Sequence, residues 1–454
     1  MRDSLYGLLC ALLLGLGHMC MFTGYDTQSF IVEPVLHSVH DRQPGIINAH
    51  GGYYGQAVCM VTYTFANLAV PWALGLLGSK LSLVFGSSLF TLYLLSFLYV
   101  HYIPYYLTAA LMGIGFSLYY AGSSCYLTEH SSRSTIEMHS AFSWAVANMC
   151  MIVGGVVMLF TIQPSVDPLT LTSSIAMNKT MPDRDYREFG DLEIRLMYGA
   201  FAVVSFISNL IFAFIPSQTV ENSLAQITKR EERFGFCEQM KKMFTALTDR
   251  RMIQMAPVFC FVSSSTCFWI YVYPTTLTFT KSLSTHVYLP AYYAITLGFG
   301  DGLMGFTIMF ISKRIPNFAQ MPTLIIGALL HMTALLLVLL STPAWSTNTP
   351  NDDFTLWLEP SVEMSLLIAF IFGLADNCIN TSRTVLSALC MPDQRAQVFS
   401  ISKFYQSLTA GVLMFLTPWM SVPMYFVLLG ANCITSLVMY RRVASETRKV
   451  ERKV

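Results

Sequence analysis

Residues 372–389 read FGLADNCINTSRTVLSAL. The apolar segment that holds them, about 363–388, has the length that crosses a bilayer, roughly 20 residues. Yet it carries Asp376, Asn377, Asn380 and Arg383. Asp376, Asn380 and Arg383 are spaced i, i+4, i+7 and share one helix face. An ionised side chain at the bilayer centre costs roughly 2.5–3.5 kcal/mol on insertion scales. A span therefore keeps such a face only towards a cavity, a partner or another polar helix.

The whole chain places this segment in a membrane. Of 454 residues, 54% are hydrophobic and 12% are charged, with mean hydropathy +0.53. Soluble domains run near 25% charged. A chain this apolar could not solvate its own surface, so the composition reads as an all-α, polytopic membrane protein whose first partner is the lipid bilayer. The net charge of +1 is uninformative about nucleic acid, and no basic motif of a DNA- or RNA-binding module is present, so no nucleic-acid partner is expected. All of the 11 cysteines except Cys237 lie in apolar runs and none forms CxxC, which points to packed small residues rather than disulfides or zinc. There is no P-loop, no HExxH and no nucleophile motif with its partners. No enzyme, metal or cofactor is expected.

Twelve apolar segments can be placed, at about 5–27, 52–77, 82–100, 103–127, 140–162, 195–215, 253–276, 290–311, 321–341, 363–388, 398–420 and 422–440. The first reads as a membrane helix rather than a cleaved leader, since its apolar run is long and lacks a small-x-small cleavage site. The expected organisation is two six-helix bundles, residues 1–215 and 253–440, with a connector at 216–252 and a basic tail at 441–454. Lys and Arg concentrate in the loops that would be cytoplasmic with the N-terminus inside, notably Lys229, Arg230, Arg233, Lys241, Lys242, Arg250 and Arg251. Both termini then face the cytosol, and Asn178-Lys179-Thr180 falls outside, where it suits N-glycosylation at Asn178. The connector has Phe236, Met240, Met243, Phe244 and Leu247 at near-helical spacing. It reads either as a plain tether or as an amphipathic helix on the cytoplasmic membrane surface.

Other membrane-embedded polar residues are Asp26, Asp301 and Lys403. Asp301 and Asp376 are short and deep, so they cannot reach the interface. Lys403 and Arg383 lie near the cytoplasmic boundary and could snorkel. Asp301 or Asp376 with Arg383 and Lys403 are the natural ion-pair partners, with Asn380 bridging Asp376 and Arg383. His18 and His331 stand singly on apolar helices and read as packed histidines.

The two halves also resemble one another. Gly113 to Ser140 spans the same distance as Gly373 to Ser400, each with a late helix, a polar hinge and a new helix. Such weak similarity marks a duplicated transporter fold. The charges occur only in the second copy, so a packing need shared by both halves does not explain them.

Four segments carry a family resemblance. The stretch YYGQAVCMVTYTFANLAVPWALGLLGSKLSL holds Asn67, Leu68 and Pro71, then Gly78-Ser79-Lys80-Leu81. GLADNCINT is followed by SKFYQS. MFTGYDT and LTEHSSRSTIEMHSAFSW complete the set. In this order they resemble the uncoordinated-ninety-three-like branch of the major facilitator superfamily, particularly its major facilitator domain-containing eleven-like group, over nearly the whole chain. The resemblance implies a twelve-helix facilitator fold. In that fold helices one, four, seven and ten line a central cavity, here bringing Thr23, Asp26 and Gln28; Ser123 and Ser124; Ser263, Ser264, Ser265 and Thr266 beside Asp376. The hydroxyls also read simply as contacts between helices. The basic, Asp-containing loop of facilitator transporters is reduced here to Gly78-Ser79-Lys80-Leu81, and Arg383 is outside the family pattern.

Two functions follow as expectations. One is a solute carrier for an unidentified small solute, working by alternating access and coupled to H⁺ or another cation through Asp301 or Asp376. The other is a non-transporting partner that regulates or escorts an ion channel, such as a potassium channel, or a receptor. Plasma and endolysosomal membranes both fit.

Overall fold

In a computed structural model of the chain, residues 2–132, 135–162, 187–218, 223, 236–312, 314–315, 317–390 and 395–451 are described. Asn178 and most of the 216–235 stretch lie outside them. The described residues are almost entirely helical. The N-terminal half contains α1 (Arg2–Ser29), α2 (Val32–Arg42), α3 (Gly51–Leu95), α4 (Tyr102–Glu129), α5 (Ile136–Ala147), α6 (Cys150–Thr161) and α7 (Asp191–Phe214). The connector holds α8 (Phe236–Leu247). The C-terminal half contains α9 (Arg250–Cys267), a π-turn at Phe268–Val272, α10 (Tyr273–Phe279), α11 (Leu289–Ser312), α12 (Met321–Ser341), α13 (Val362–Cys390), α14 (Arg395–Leu416) and α15 (Val422–Glu451).

Among the described residues, nine helices are long and apolar enough to cross a membrane. These nine count α3 once and omit α4 and α14, whose tyrosines, serines and charged residues lower their hydropathy. Large apolar side chains stay exposed along the helices, among them Leu76, Phe160, Phe214 and Val427. An apolar belt of this kind needs lipid around it.

The 45 residues of α3 would run about 67 Å if straight, twice the thickness of a hydrocarbon core. They do not. Gly78 has φ 74° and ψ 174°, a conformation essentially confined to glycine. On one side of it, a methyl group at Gly113 of α4 would meet the Cys59 carbonyl at 2.3 Å; on the other, one at Gly115 would meet the Gly86 carbonyl at 2.9 Å. Residues 59 and 86 therefore lie at one level of α4, and α3 is a hairpin folded near Gly78. Next to the turn, the Ser79 hydroxyl donates to Glu129 at 2.5 Å. Glycine lets these helix backbones approach closely, the usual device of packing in lipid.

The C-terminal half repeats this contact. A methyl group at Gly373 of α13 would meet the Leu297 carbonyl of α11 at 2.2 Å. The halves meet along α3–α14 and α6–α11. Thr64 donates to the Ser407 hydroxyl at 2.8 Å, and Gly298 and Gly155 admit the facing helix side chains and backbone. At the end bearing α2 and the 342–361 loop, more bonds cross between halves. Tyr53 donates to the Thr347 carbonyl at 2.8 Å, Arg187 to the Val287 carbonyl at 2.7 Å, and Phe30 packs on Tyr293.

The connector helix α8 buries Met243 and Ala246 against α9 and α14 residues, in one cluster with Val258, Phe259 and Ile401. Met243 and Ala246 thus pack on protein, while Phe244 on the same helix stays exposed. The last helix runs on to Glu451 through most of the basic tail.

Candidate functional site

The polar residues of the spans gather where α1, α6, α9, α11, α13 and α14 converge. The π-turn after α9 is central. It inserts an extra residue into a helix turn, a feature common at functional sites, and from it Trp269 and Tyr271 project. The Trp269 indole donates to Asp376 at 3.1 Å. Asn380 donates to the other Asp376 oxygen at 2.9 Å, and Thr266 approaches at 3.5 Å. Asp301 on α11 accepts from Asn377 at 3.1 Å and from Asn148, at the α5–α6 junction, at 3.3 Å. Asp26 on α1 lies 3.5 Å from the Cys150 thiol. The three carboxylates are thus held by uncharged donors. Asp376 lies within electrostatic range of both Asp26 and Asp301.

The cations stand apart from the acids. Arg383 donates to Ser402 at 3.3 Å and to Thr384 at 3.1 Å. Lys403 sits over the Tyr120 ring, 4.3 Å from its centroid, and so spans the two halves. Arg383 and Lys403 feel one another, and Arg383 feels Asp376. Among the described residues none of these five charges forms a salt bridge. Three acids and two bases without a salt bridge among the described residues are costly in a membrane. The arrangement can bind opposite charges of a guest or exchange protons.

The structure therefore joins Asp26, Asp301, Asp376, Asn377, Asn380, Arg383 and Lys403 in one region, but not as the spacing implied. The expected ion pairs are absent among the described residues. Asn380 bonds Asp376 and does not bridge to Arg383, because Arg383 turns towards Ser402. Lys403 lies on an aromatic ring rather than snorkelling. Gln28 is buried and donates to Ser29 at 3.0 Å. Ser124 is exposed and bonds the Tyr120 carbonyl of its own helix. His18 bonds Tyr119 and His331 bonds Ser265, both in packed surroundings. Among the described residues no group of three His, Cys, Asp or Glu side chains can hold a metal. Among the described residues, Cys10, Cys20, Cys59, Cys150, Cys260, Cys267, Cys378 and Cys433 form no disulfide.

Several participants escaped sequence reading. Trp269, Asn148, Tyr63 and Tyr120 are uncharged and stood out from no pattern. So did a buried knot between the halves, where one of the Tyr25 and Tyr271 hydroxyls donates to the other and the Gln56 side-chain carbonyl, 3.0 and 3.2 Å from the two, accepts the remaining proton. The repeat held the one available signal. The offset from Gly113 to Gly373 puts Phe116 and Tyr120 at the places of Asp376 and Asn380. In the first half these belong to an aromatic cluster in which Tyr63 stacks on Phe116 at 5.3 Å. The site thus has an aromatic wall and a charged wall.

Comparison with known proteins agrees with this architecture. The family pattern described as "Ion channel regulatory protein UNC-93" matches residues 43–440. The chain is 23% identical over 426 residues to the UNC93-like protein MFSD11 of Xenopus laevis, covering 90% of this chain and 89% of that protein. It is 22% identical to the Xenopus tropicalis counterpart, with the same coverage. In fold it is similar to the fucose transporter FucP of the major facilitator superfamily, with TM-score 0.60, 12% identity and coverage of 96% and 99%. The peptide transporter POT gives TM-score 0.62 at 12% identity, covering 98% and 95%. The fold is that of a major facilitator transporter, and the chain belongs to the UNC-93 family.

Proposed function

We propose that this protein is a solute carrier that moves a small polar solute by alternating access around the site between its halves. The observation that carries this reading is a set of five charges inside a transporter fold, shared between α1, α11, α13 and α14, that form no salt bridge among the described residues. Separating the two limbs of α3 and adding α4 and α14 to the apolar helices makes twelve spans, in two bundles, with both termini cytoplasmic. The bonds at Tyr53–Thr347, Arg187–Val287 and Tyr25–Tyr271 then close the outer face. Asp301 and Asp376, which share electrostatic range, are the groups placed to couple movement to H⁺ or another cation. The test is reconstitution: proteoliposomes holding the full chain are exposed to a mixed pool of labelled metabolites, and the lumen is assayed by mass spectrometry. Accumulation of at least one solute above protein-free liposomes is expected. If no solute gradient of any kind depends on the chain, this reading falls.

A second reading draws on the family description, which names ion channel regulation. Here the polar site is a seam for a channel or receptor partner. It predicts co-purification with another membrane protein, lost on substitution of Asp376 or Lys403. Isolation from native membranes as a lone monomer would count against it.

A further inference from the structure

The basic end of the site leaves hydrogen-bond donors without acceptors. Arg383 Nε, Asn67 Nδ2 and the Tyr63 hydroxyl are buried and make no hydrogen bond of good geometry among the described residues, although the Asn67 amide stands close enough to the Tyr63 hydroxyl to influence it. Tyr63 and Asn67 lie one turn apart on the first limb of α3, exposed by only 5% and 6%. Asn67 Oδ1 is already engaged by Ser117 at 3.0 Å, so only its NH₂ is left over. Arg383 lies within electrostatic range of Tyr63 and Tyr120, and Lys403 stands on the Tyr120 ring. A guanidinium Nε and an amide nitrogen can only donate. Leaving such groups unanswered in a buried place is unfavourable, because each has lost its hydrogen bonds to water. The nearest acids do not answer them: Asp376 lies about 10 Å away along the α13 axis and is occupied by Trp269 and Asn380. What is missing is an acceptor, and two neighbouring positive charges require it to be anionic.

We propose that Arg383, Lys403, Tyr63 and Asn67 form a subsite for an anionic oxygen group, a carboxylate or a phosphate, on the transported solute. The four residues come from α3 in one half and from α13 and α14 in the other, so the bound anion links the halves. Arg383 presents the planar fork that matches such a group. The inference rests on the solute-carrier reading for its ligand source, but its test reads binding and not movement.

The experiment is thermal unfolding of the purified full chain in nonionic detergent, titrated with butyrate, butylamine or inorganic phosphate. Butyrate or phosphate is expected to raise the midpoint saturably, and any shift with butylamine is expected to be independent of Arg383 and Lys403. Whichever anion acts at lower concentration identifies the group as carboxylate or phosphate. Arg383→Gln and Lys403→Gln are expected to abolish the anion shift. Tyr63→Phe, which keeps the ring and its packing, is expected to weaken the anion about fivefold and serves where the charge variants do not fold. A parallel measurement in nanodiscs of phosphatidylcholine, with and without phosphatidylglycerol, separates the sources. Stabilisation by phosphatidylglycerol that needs Arg383, with no effect of the soluble anions, overturns the solute assignment in favour of a lipid phosphate. No anion-dependent shift in either setting, or an anion shift that survives Arg383→Gln and Lys403→Gln, overturns the subsite. Anion binding without transport by proteoliposomes would instead retire the solute-carrier reading and leave the subsite standing.

Discussion

Tyr63 and Asp301 hold equivalent places in the two halves. A methyl group on Gly113 would lie 2.8 Å from the Tyr63 backbone nitrogen, and one on Gly373 would lie 2.8 Å from that of Asp301. The duplicated frame is thus preserved at backbone level while its lining has diverged. In one half the position carries a phenol in an aromatic cluster; in the other it carries a carboxylate held by two amides. Packing sets the glycines, and the site sets the residues beside them.

Both glycines are therefore predicted to resist substitution. Gly113→Ala and Gly373→Ala should each destabilise by about 1–3 kcal/mol through overpacking. Gly75→Ala, with nothing within 4 Å, should be neutral or slightly stabilising. Thermal unfolding in detergent checks this. Equal midpoints for the three variants would refute the close approach.

Gly78→Ala should cost about 1–3 kcal/mol for a different reason. Space is not limiting there, since nothing lies within 4 Å, but φ is +74°. Loss of folded yield should be accompanied by greater proteolysis near residue 78. Wild-type yield and midpoint would show that the α3 turn does not depend on glycine.

Much of this frame was legible in the sequence. The apolar segments fall largely on described helices, 140–162 being divided between α5 and α6, because about 20 apolar residues can satisfy their backbone in lipid only as a helix. The break between 77 and 82 is seen as the Gly78 turn. The gathering of Asp376, Asp301, Lys403 and Arg383 was legible from their cost in lipid. Their actual partners were not. Spacing along one helix ties Asp376 to Asn380, but it cannot reveal that Trp269 arrives from a π-turn or that Tyr120 lies under Lys403. Those contacts come from helices distant in sequence. Uncharged donors such as Asn148 and Tyr63 carry no insertion penalty large enough to stand out.

Neutralising the acids should disable the site without unfolding it. In Asp376→Asn, the new amide presents either its NH₂ or a weaker acceptor to two donors, Trp269 and Asn380. Uptake of the solute found in proteoliposomes should fall at least tenfold, with membrane protein amount unchanged; each missing charged hydrogen bond accounts for about 1.5–3 kcal/mol. Asp301→Asn should behave likewise. Wild-type uptake in both would remove the carboxylates from the transport site.

A pH effect is expected from His130, just past the end of α4. Burial holds its imidazole below the usual 6.5, against the opposing pull of the Tyr126 carbonyl, Glu129 and the Gln218 carbonyl. Its Nδ1 donates to the Tyr126 carbonyl at 2.8 Å. Below pH 6.5 the unfolded chain takes the proton first, so this contribution is complete above 6.5 and is lost as pH falls from there towards the folded value. The unfolding midpoint should drop between pH 7 and pH 5, roughly the range where an ordinary histidine titrates, and His130→Asn should flatten that slope. An identical slope in the variant would assign the effect elsewhere.

The central claim is that the halves move against each other around the polar site. Thr64 and Ser407 meet across the halves with hydroxyls 2.8 Å apart, close enough for a disulfide between cysteines placed there. The decisive measurement is proteoliposome uptake by Thr64→Cys/Ser407→Cys before oxidation, after oxidation and after reduction, with the bridge confirmed by mass spectrometry. Oxidation should stop uptake and reduction should restore it. Uptake at the wild-type rate with the bridge fully formed would contradict movement of the two halves about this contact.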